Sequence, residues 1–369
     1  RSEGGTMSGP RVVMVNATGV RSGAENVLGS VAHHVSGSGA EVVLVSPPGR
    51  ITDAFPPGTR HVPIGPLGLQ GRSGWSRLVA LVGALVNWVT AGRALRRVTR
   101  PDDVVVVNSL FALPALGVAF PGPRRRALTT WLVHDTVVSA KQRLAVRLGA
   151  RRLDRAVAVS EVTAESVRPL VRDVIVRVNG VALPDEWREG ASPIGVVGIL
   201  AALTPWKGHD VLLDAIARVP GVRLEIAGAE LPGESAFAAA LRARAARDDL
   251  RGRVDFLGHV DRADVLPRWT VAVSASVLPE AGPLGVLECM AAGVPVVATD
   301  HGGAAEYLAG GAGVLVPPGD AAALGVALSE LLDEPGALAA VSRTARRRVV
   351  DRHDIARTLP ALVAALTDI

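Results

Sequence analysis

The chain of 369 residues contains one cysteine, Cys289, and this scarcity excludes an internal disulfide framework and a cysteine-rich metal site. A large excess of either charge sign is also lacking, because the chain has 40 Lys and Arg and 35 Asp and Glu. The basic residues form no dense block. We therefore do not expect nucleic acid as the main partner, although anionic ligands fit the net charge of +5. The cysteine content favours the cytoplasm.

Long apolar runs are absent too. The uncharged run 78–92 has 15 residues, short of the ~20 that a membrane-spanning helix needs. The other long uncharged run, 104–123, is interrupted by Asn108 and three prolines. We expect no transmembrane helix, and no signal peptide in the small, polar residues 1–10.

Lysine is the scarcest of the basic residues, since only Lys141 and Lys207 accompany 38 arginines. This bias is typical of GC-rich coding, as in actinobacteria. A lysine that persists against such a bias is a candidate for a role that requires an ammonium group. The hint is compositional and points to Lys207.

Short Val-rich segments alternate with helix-like segments along the whole chain. Continuous apolar strands separated by helices predict parallel sheets that are covered on both faces. Two such series predict two doubly wound, Rossmann-like domains. We expect strands at 11–16, 41–45, 103–108, 128–133, 155–160 and 174–178, and then at 194–200, 222–227, 253–258, 271–274, 294–299 and 313–316.

A polar segment bounded by prolines, 183–193, separates the two series and reads as an interdomain linker. We therefore place an N-terminal domain at 10–183 and a C-terminal domain at 190–350. The tail 351–369 carries a helical apolar pattern, and we expect it to pack back on the N-terminal domain.

Residues 72–100 combine helical apolar spacing with flanking arginines and two tryptophans. This pattern is typical of an interfacial helix that contacts anionic lipid, which would make the protein peripheral to a membrane. It is equally typical of a core-packing crossover helix with solvated arginines. The position just before the strand at 103–108 favours the crossover helix.

The segment 277–320 carries the most chemistry. Glu280 follows a strand, and Glu288 lies in the first turns of the next helix. Seven residues separate the two glutamates. The loop amides from Gly282 to Leu284 and the helix N-terminus would form an anion site, with one carboxylate for sugar hydroxyls and one for a ribose diol. The alternative is purely structural, because a helix dipole favours acidic residues near the N-terminus anyway.

The string EAGPLGVLECMAAGVPVVATDHGGAAE, followed by GVLVPPGD, resembles the retaining GT-B glycosyltransferases, a large bacterial family with an E-x7-E motif (group 1, family 4-like). Further similar segments occur in the family's order: SGAENVL (22–28), LVHD (132–135), VNGV (178–181), TPWKGHDVLLDAI (204–216) and RVDFLGHV (253–260). The resemblance extends over nearly the whole chain. It implies a GT-B fold, in which two Rossmann-like domains face a central cleft.

The resemblance also implies roles for individual residues. Glu280 would bind hydroxyls of the donor sugar, Glu288 the ribose of the nucleotide, and Lys207 the diphosphate. The remaining roles are that the loop at Gly23 approaches the phosphates, that His134 lies against the donor sugar near the reacting carbon, that the backbone from Phe256 to Gly258 meets the base, and that the loop of Gly282, Pro283 and Leu284 adjoins the donor.

Two positions depart from the family pattern. Ala202 stands where the family usually has an arginine, so that one of two diphosphate cations is missing. Pro283 often is glycine in the family, and a proline donates no amide. Arg21, in the GVRSGAE loop that we expect to face the cleft, is our candidate for the replacement cation, because a guanidinium offers a fork of donors to phosphate.

The sequence therefore predicts a metal-independent retaining enzyme of the hexosyltransferase type, without a cofactor, that uses a UDP or GDP sugar and an unidentified acceptor. The lack of an Asp-x-Asp constellation agrees with this. Retention would follow from front-face attack with the departing phosphate as base. A sugar-nucleotide epimerase of the same fold, a catalytically weak sugar-nucleotide-binding protein and a peripheral glycolipid enzyme remain alternatives.

Overall fold

The computed structural model describes residues 11–68, 75–122, 127–187, 195–231 and 233–368, with the backbone alone for 75–81. The chain forms two compact units, Arg1–Val178 with Leu359–Ile369, and Asn179–Thr358. Residues 179–183, expected in the N-terminal domain, thus belong to the second unit, whereas the end of the chain belongs to the first. The expected linker at 183–193 lies partly outside the described residues.

The first unit is built on a seven-stranded sheet with the order β3-β2-β1-β4-β5-β6-β7, in which every neighbouring pair is parallel. Six of its strands match expected segments, whereas β3 is an addition. Its sequence RHVP is short and polar, because this strand lies at the sheet edge and is only partly buried. The strands are β1 (Arg11–Val15), β2 (Glu41–Ser46), β3 (Arg60–Pro63), β4 (Val104–Val107), β5 (Leu128–Val133), β6 (Arg155–Ala158) and β7 (Val174–Val176).

Helices cover this sheet, and α3 packs against both α2 and α4. They are α1 (Gly23–Gly37), α2 (Trp75–Val98), α3 (Leu113–Ala119), α4 (Ala140–Ala150) and α5 (Glu161–Val167). The expected segment 72–100 thus contains a helix that precedes β4, as a crossover helix must. Of the helices in the described ranges, none combines the length and apolar character needed to cross a membrane.

The second unit contains a six-stranded parallel sheet with the order β10-β9-β8-β11-β12-β13. Its strands are β8 (Val196–Leu200), β9 (Arg223–Ala227), β10 (Val254–Gly258), β11 (Val271–Ser274), β12 (Val296–Thr299) and β13 (Val314–Val316). Its helices are α6 (His209–Ile216), α7 (Ser235–Ala245), α8 (Arg262–Val265), α9 (Leu284–Ala291), α10 (Gly302–Leu308), α11 (Ala321–Asp333) and α12 (Pro335–Arg352).

In both sheets the strand order reverses next to the first strand, between β1 and β4 and between β8 and β11. Loops that follow two such strands diverge, and ligands of open parallel sheets bind at the carboxyl ends of those strands. Residues after these four strands are therefore the first candidates for a functional site.

The last helix, α13 (Ile355–Thr367), brings the end of the chain onto the first sheet. The Thr130 hydroxyl on β5 donates to the Leu366 carbonyl at 3.0 Å. Arg155 on β6 donates from Nη1 to the Asp368 carbonyl at 3.2 Å. These bonds explain why Leu359–Ile369 belong to the first unit.

A buried ion pair fixes the start of β1 to the residue before β4. Arg11 donates to both oxygens of Asp103, from Nε at 3.0 Å and from Nη2 at 2.6 Å. The backbone N–H of Arg100 donates to the same carboxylate at 2.6 Å. Both side chains are buried, 3% and 4% exposed, so that Asp103 is the main counter-charge of Arg11, with the exposed Glu41 at 3.9 Å.

We expect Asp103→Asn to lower the free energy of unfolding by about 3 kcal/mol, because the variant leaves the buried guanidinium of Arg11 with only the exposed Glu41 as counter-charge, at 3.9 Å. Urea unfolding at neutral pH measures the change. Asp53→Asn is the matched control, since Asp53 forms an exposed pair with Arg50 at 3.6 Å. Equal effects of the two variants would show that the buried pair contributes no more than a surface pair.

Candidate functional site

Two loops at the carboxyl ends of β8 and β11 are locked together in the second unit. The 3-10 turn Pro205–Lys207 follows β8, and its Trp206 carbonyl accepts a hydrogen bond from the Val277 N–H at 2.9 Å. Gly208 has a φ of +67°, and a Cβ there would stand 2.0 Å from the Ala275 carbonyl oxygen. Only glycine allows this approach, so the loops hold Lys207 in a fixed place.

Lys207 and Glu280 form an ion pair across these loops. The Lys207 Nζ lies 2.5 Å from Oε2 of Glu280, and the Ser276 hydroxyl donates to the other carboxylate oxygen, Oε1. The side chains are 18% and 12% exposed. The ammonium also lies 4.2 Å from the centre of the Trp206 ring, so that it contacts a carboxylate and an aromatic face together.

The backbone of Glu280 is fixed by the start of α10. Gly303 donates its N–H to the Glu280 carbonyl at 2.7 Å. Gly302 has a φ of +62°, and a Cβ there would stand 2.4 Å from the same carbonyl oxygen. The pair of glycines in HGGAAE therefore lets the loop of Glu280 pack directly on the helix start.

Glu288 lies on α9, which begins after Pro283, and its side chain is 17% exposed. Burial raises the pKa of Glu288, and the charge of Arg262 acts in the opposite direction. The Arg262 Nη1 lies 2.5 Å from Oε1 of Glu288. The next residue, Cys289, is buried, and burial raises the pKa of its thiol, so it presents no thiolate.

The loop between Glu280 and α9 is tied to the start of the second unit, since Asn179 donates to the Gly282 carbonyl at 3.2 Å. Nearby, β10 ends in an irregular register between Phe256 and Gly258, and Gly258 has a φ of +68°. This irregularity changes the backbone direction just before α8, which carries Arg262.

In the first unit, polar side chains converge after β1 and β4. Asn108 donates to the Asn16 side-chain oxygen at 3.0 Å, and Asn16 donates to Oε1 of Glu25 at 3.1 Å. The Ser22 N–H and hydroxyl donate to Oε2 of Glu25 at 3.0 and 2.5 Å. Glu25 is thus a buried carboxylate within a hydrogen-bond network, two residues after Gly23 begins α1.

His134 and Asp135 follow β5. Burial lowers the pKa of His134 to about 4, so the imidazole is neutral at pH 7. Its Nε2 is buried and has no hydrogen-bond partner among the described residues. Burial and the nearby charge of Glu25 raise the pKa of Asp135 to about 6, against a hydrogen bond from the Leu110 backbone.

For the arginine that the family usually has at position 202, the sequence analysis named no replacement in the second unit. Ala202 lies in the loop after β8 and is partly exposed. Arg21, on the first unit, is exposed and donates from Nε to the Asn26 side chain at 2.7 Å. Its role toward a phosphate stays a prediction.

The structure brings Lys207 and Glu280 into direct contact and places Glu288 on a separate contact with Arg262. Sequence reasoning missed three neighbours of these residues, namely Ser276, Trp206 and Arg262. Ser276 lies four residues before Glu280 and Trp206 directly before Lys207, so proximity was the available signal. In the described part of the chain, no three His, Cys, Asp or Glu side chains group as a metal site would require.

Comparison with known proteins gives this geometry a context. A family model for glycosyl transferases group 1 matches residues 194–334. The lipopolysaccharide core biosynthesis mannosyltransferase LpsB of Rhizobium meliloti is 30% identical over 178 residues, which are 46% of this chain and 50% of LpsB. The chain thus spans half of the length of this relative.

A longer match is to the UDP-N-acetylglucosamine–N-acetylmuramyl-(pentapeptide) pyrophosphoryl-undecaprenol N-acetylglucosamine transferase of Alkalilimnicola ehrlichii. It is 30% identical over 309 residues, which cover 79% of this chain and 81% of the relative. The chain belongs to the glycosyltransferases. Its second unit carries the group 1 domain, and the segment from Lys207 to Glu288 lies inside that match.

The glycosyltransferase fold is GT-B. The crystal structure of HepE from Anabaena in complex with UDP and glucose has a TM-score of 0.77 at 23% identity, and the match covers 97% of this chain and 99% of HepE. The expectation of two parallel-sheet, Rossmann-like domains is confirmed.

The raised pKa of Asp135 predicts a pH-dependent cost to stability. The folded pKa of about 6 exceeds the ordinary 3.8, so the protonated form favours folding at low pH and this benefit is lost as pH rises towards 6 and above. Relative to the wild type, the free energy of unfolding of Asp135→Asn should therefore rise by about 2 kcal/mol between pH 4 and pH 7, as measured by urea unfolding.

Asp53→Asn, at an exposed position, is the control and should track the wild type at both pH values. A gap between Asp135→Asn and the wild type that stays constant with pH would show that the Asp135 carboxylate is not desolvated.

Proposed function

We propose that this chain is a metal-independent, retaining glycosyltransferase that moves a sugar from a nucleoside diphosphate sugar to a hydroxyl of an acceptor. The observation that carries the proposal is the ion pair of Lys207 and Glu280, with Ser276 on the second carboxylate oxygen. Its residues fall inside the group 1 match.

Each partner of this pair suits a different part of such a donor. An ammonium binds phosphate oxygens, and a carboxylate accepts hydrogen bonds from sugar hydroxyls. Without a donor, Lys207 and Glu280 satisfy each other, so neither charge is left uncompensated in a partly buried place. When a donor binds, its diphosphate would contact Lys207 and its sugar hydroxyls would donate to Glu280.

Glu288 suits the ribose, because a carboxylate accepts from both hydroxyls of a diol. The irregular end of β10, from Phe256 to Gly258, would meet the base through its backbone. We propose a UDP or GDP sugar as donor, and the UDP and glucose bound by the similar HepE support the first. The eight-residue α9 would direct its N-terminus, after Gly282, Pro283 and Leu284, to the phosphates.

In the proposed reaction, the bond between the anomeric carbon and the diphosphate oxygen breaks, and the acceptor oxygen bonds to the same face of that carbon. The acceptor proton passes to the departing phosphate. Lys207 and the N-terminus of α9 would stabilise the charge that develops there, without a metal ion. Gly23, Arg21 and His134, on the first unit, keep their proposed roles toward the donor, and we assign acceptor binding to this unit.

Relatives named as transferases favour group transfer over the epimerase alternative. The two activities differ in products, since an epimerase releases sugar and nucleotide without an acceptor adduct. Mass spectrometry of a donor and acceptor screen with excess EDTA tests the proposal. An adduct that forms in EDTA supports it, and formation only after added Mg²⁺ or Mn²⁺ would contradict metal independence. We place the reaction in the cytoplasm, consistent with a single, buried Cys289.

The two glutamates should separate binding from transfer. Glu288→Gln should weaken UDP or GDP binding about ten-fold or more, because it loses charge-assisted bonds to the ribose. Glu280→Gln should retain nucleotide affinity within a few-fold and abolish transfer, because its partner is the sugar. Calorimetry and product formation measure the two effects.

Glu330→Gln is the control, since Glu330 is exposed on α11, away from the E-x7-E segment. Loss of nucleotide affinity in Glu280→Gln together with unchanged affinity in Glu288→Gln would exchange the two assignments.

The indole of Trp206 should contribute to nucleotide binding through Lys207. Trp206→Ala should lower the affinity for UDP or GDP by about five-fold, on the scale of a lost cation–π contact, and Trp206→Phe should restore most of it. Trp187→Ala is the matched control, because Trp187 faces Arg346 at 5.7 Å in the same unit. Equal losses in Trp206→Ala and Trp187→Ala would remove Trp206 from the site.

A further inference from the structure

The modest net charge of the chain conceals an opposition between its two units. The first unit, residues 1–178 and 359–369, contains 23 Lys and Arg and 12 Asp and Glu, whereas the second unit, residues 179–358, contains 17 Lys and Arg and 23 Asp and Glu. The first unit is therefore strongly basic and the second acidic. Such asymmetry is typical of a protein in which one part meets an anionic surface.

The basic surplus comes from one segment of the chain, because residues 54–153 contain 15 Lys and Arg and three Asp. The sequence has no acidic residue in 54–101, in 104–134 or in 136–153. These stretches contain α2, α3 and α4, and α3 packs between the other two. The outward faces of α2 and α4 thus carry cations without acidic side chains among them.

The outward face of α4 is both apolar and basic. Ala145, Val146 and Gly149 point to the core and are buried. On the opposite side, Leu144 and Leu148 are 58% and 51% exposed. The exposed arginines 143, 147 and 151 flank these leucines.

The outward face of α2 repeats this combination. Val82 and Val86 are both 54% exposed, and Leu85 beside them is 56% exposed. About two and three turns after Val86, on the same face, lie the exposed Arg93 and Arg97. The buried side chains of α2, such as Trp88, are on the other face.

Within the described ranges, no ion pair involves the arginines at 93, 97, 143, 147 or 151. Exposure of a row of leucines to water is unfavourable, and unpaired guanidinium groups can bind phosphates. The exposed apolar side chains and the unpaired arginines both suit a partner with an apolar interior and an anionic surface.

We propose that the outward faces of α2 and α4 dock this protein on a bilayer that contains anionic lipid. The apolar side chains Leu144, Leu148, Val82 and Val86 would enter the headgroup region, and the flanking arginines would contact lipid phosphates. A second copy of the chain fits poorly, since two such faces would bring arginines together without acidic partners. This inference is independent of the proposed donor chemistry.

Flotation of the full chain with vesicles tests the proposal. The protein should float with phosphatidylcholine vesicles that contain phosphatidylglycerol, should not float with phosphatidylcholine alone, and should dissociate as salt rises. Arg147→Glu with Arg151→Glu should lower the bound-to-free ratio by about ten-fold or more, since each charge adds to the attraction. Leu144→Ser with Leu148→Ser should lower it by a similar factor.

The control is Arg347→Glu with Val350→Ser, which makes the same kinds of change at exposed positions of α12 and should leave flotation unchanged. Thermal unfolding checks each variant for folding, and Arg93→Glu with Arg97→Glu provides a second charge variant on α2. Absence of flotation, flotation that is equal on uncharged vesicles, or equal losses in the α12 control would overturn the proposal. So would a dimer in solution that dissociates in the leucine variant.

Discussion

A lysine ammonium held against a carboxylate is the contact around which the candidate site of the second unit is built. Lys207 and Glu280 come from loops after two adjacent strands, and their charges compensate each other where solvent reaches them poorly. The hydrogen bond from Val277 to Trp206 and the close approach of Gly208 fix the distance between the loops. The pair is therefore positioned by backbone packing, and a ligand that replaces it finds both charges already in place.

The two units use charge differently. The second unit is acidic overall, yet its candidate site selects single cations, Lys207 and Arg262, and sets each against one glutamate. The first unit buries the Glu25 carboxylate in a network of donors and exposes arginines on the outward faces of α2 and α4. In our two proposals, charge serves local recognition in the second unit and long-range attraction in the first.

Periodicity predicted most strands, because buried parallel strands are continuous apolar runs. The edge strand β3 escaped, since partial burial allows the polar sequence RHVP. In the site, motif resemblance pointed to Lys207, Glu280 and Glu288, whereas Ser276 carried no signal of its own. A serine becomes informative only when the fold directs its hydroxyl to a particular carboxylate.

The two parallel sheets and the spacing of the two glutamates can be predicted from the chain alone, because they follow from local apolar pattern and from residue order. The fold is needed to see that Trp206 and Ser276 complete the Lys207–Glu280 contact, and that the last helix joins the first sheet. The exposed rows of α2 and α4 likewise appear only in three dimensions. Contacts between residues distant in sequence depend on packing, which pattern along the chain does not encode.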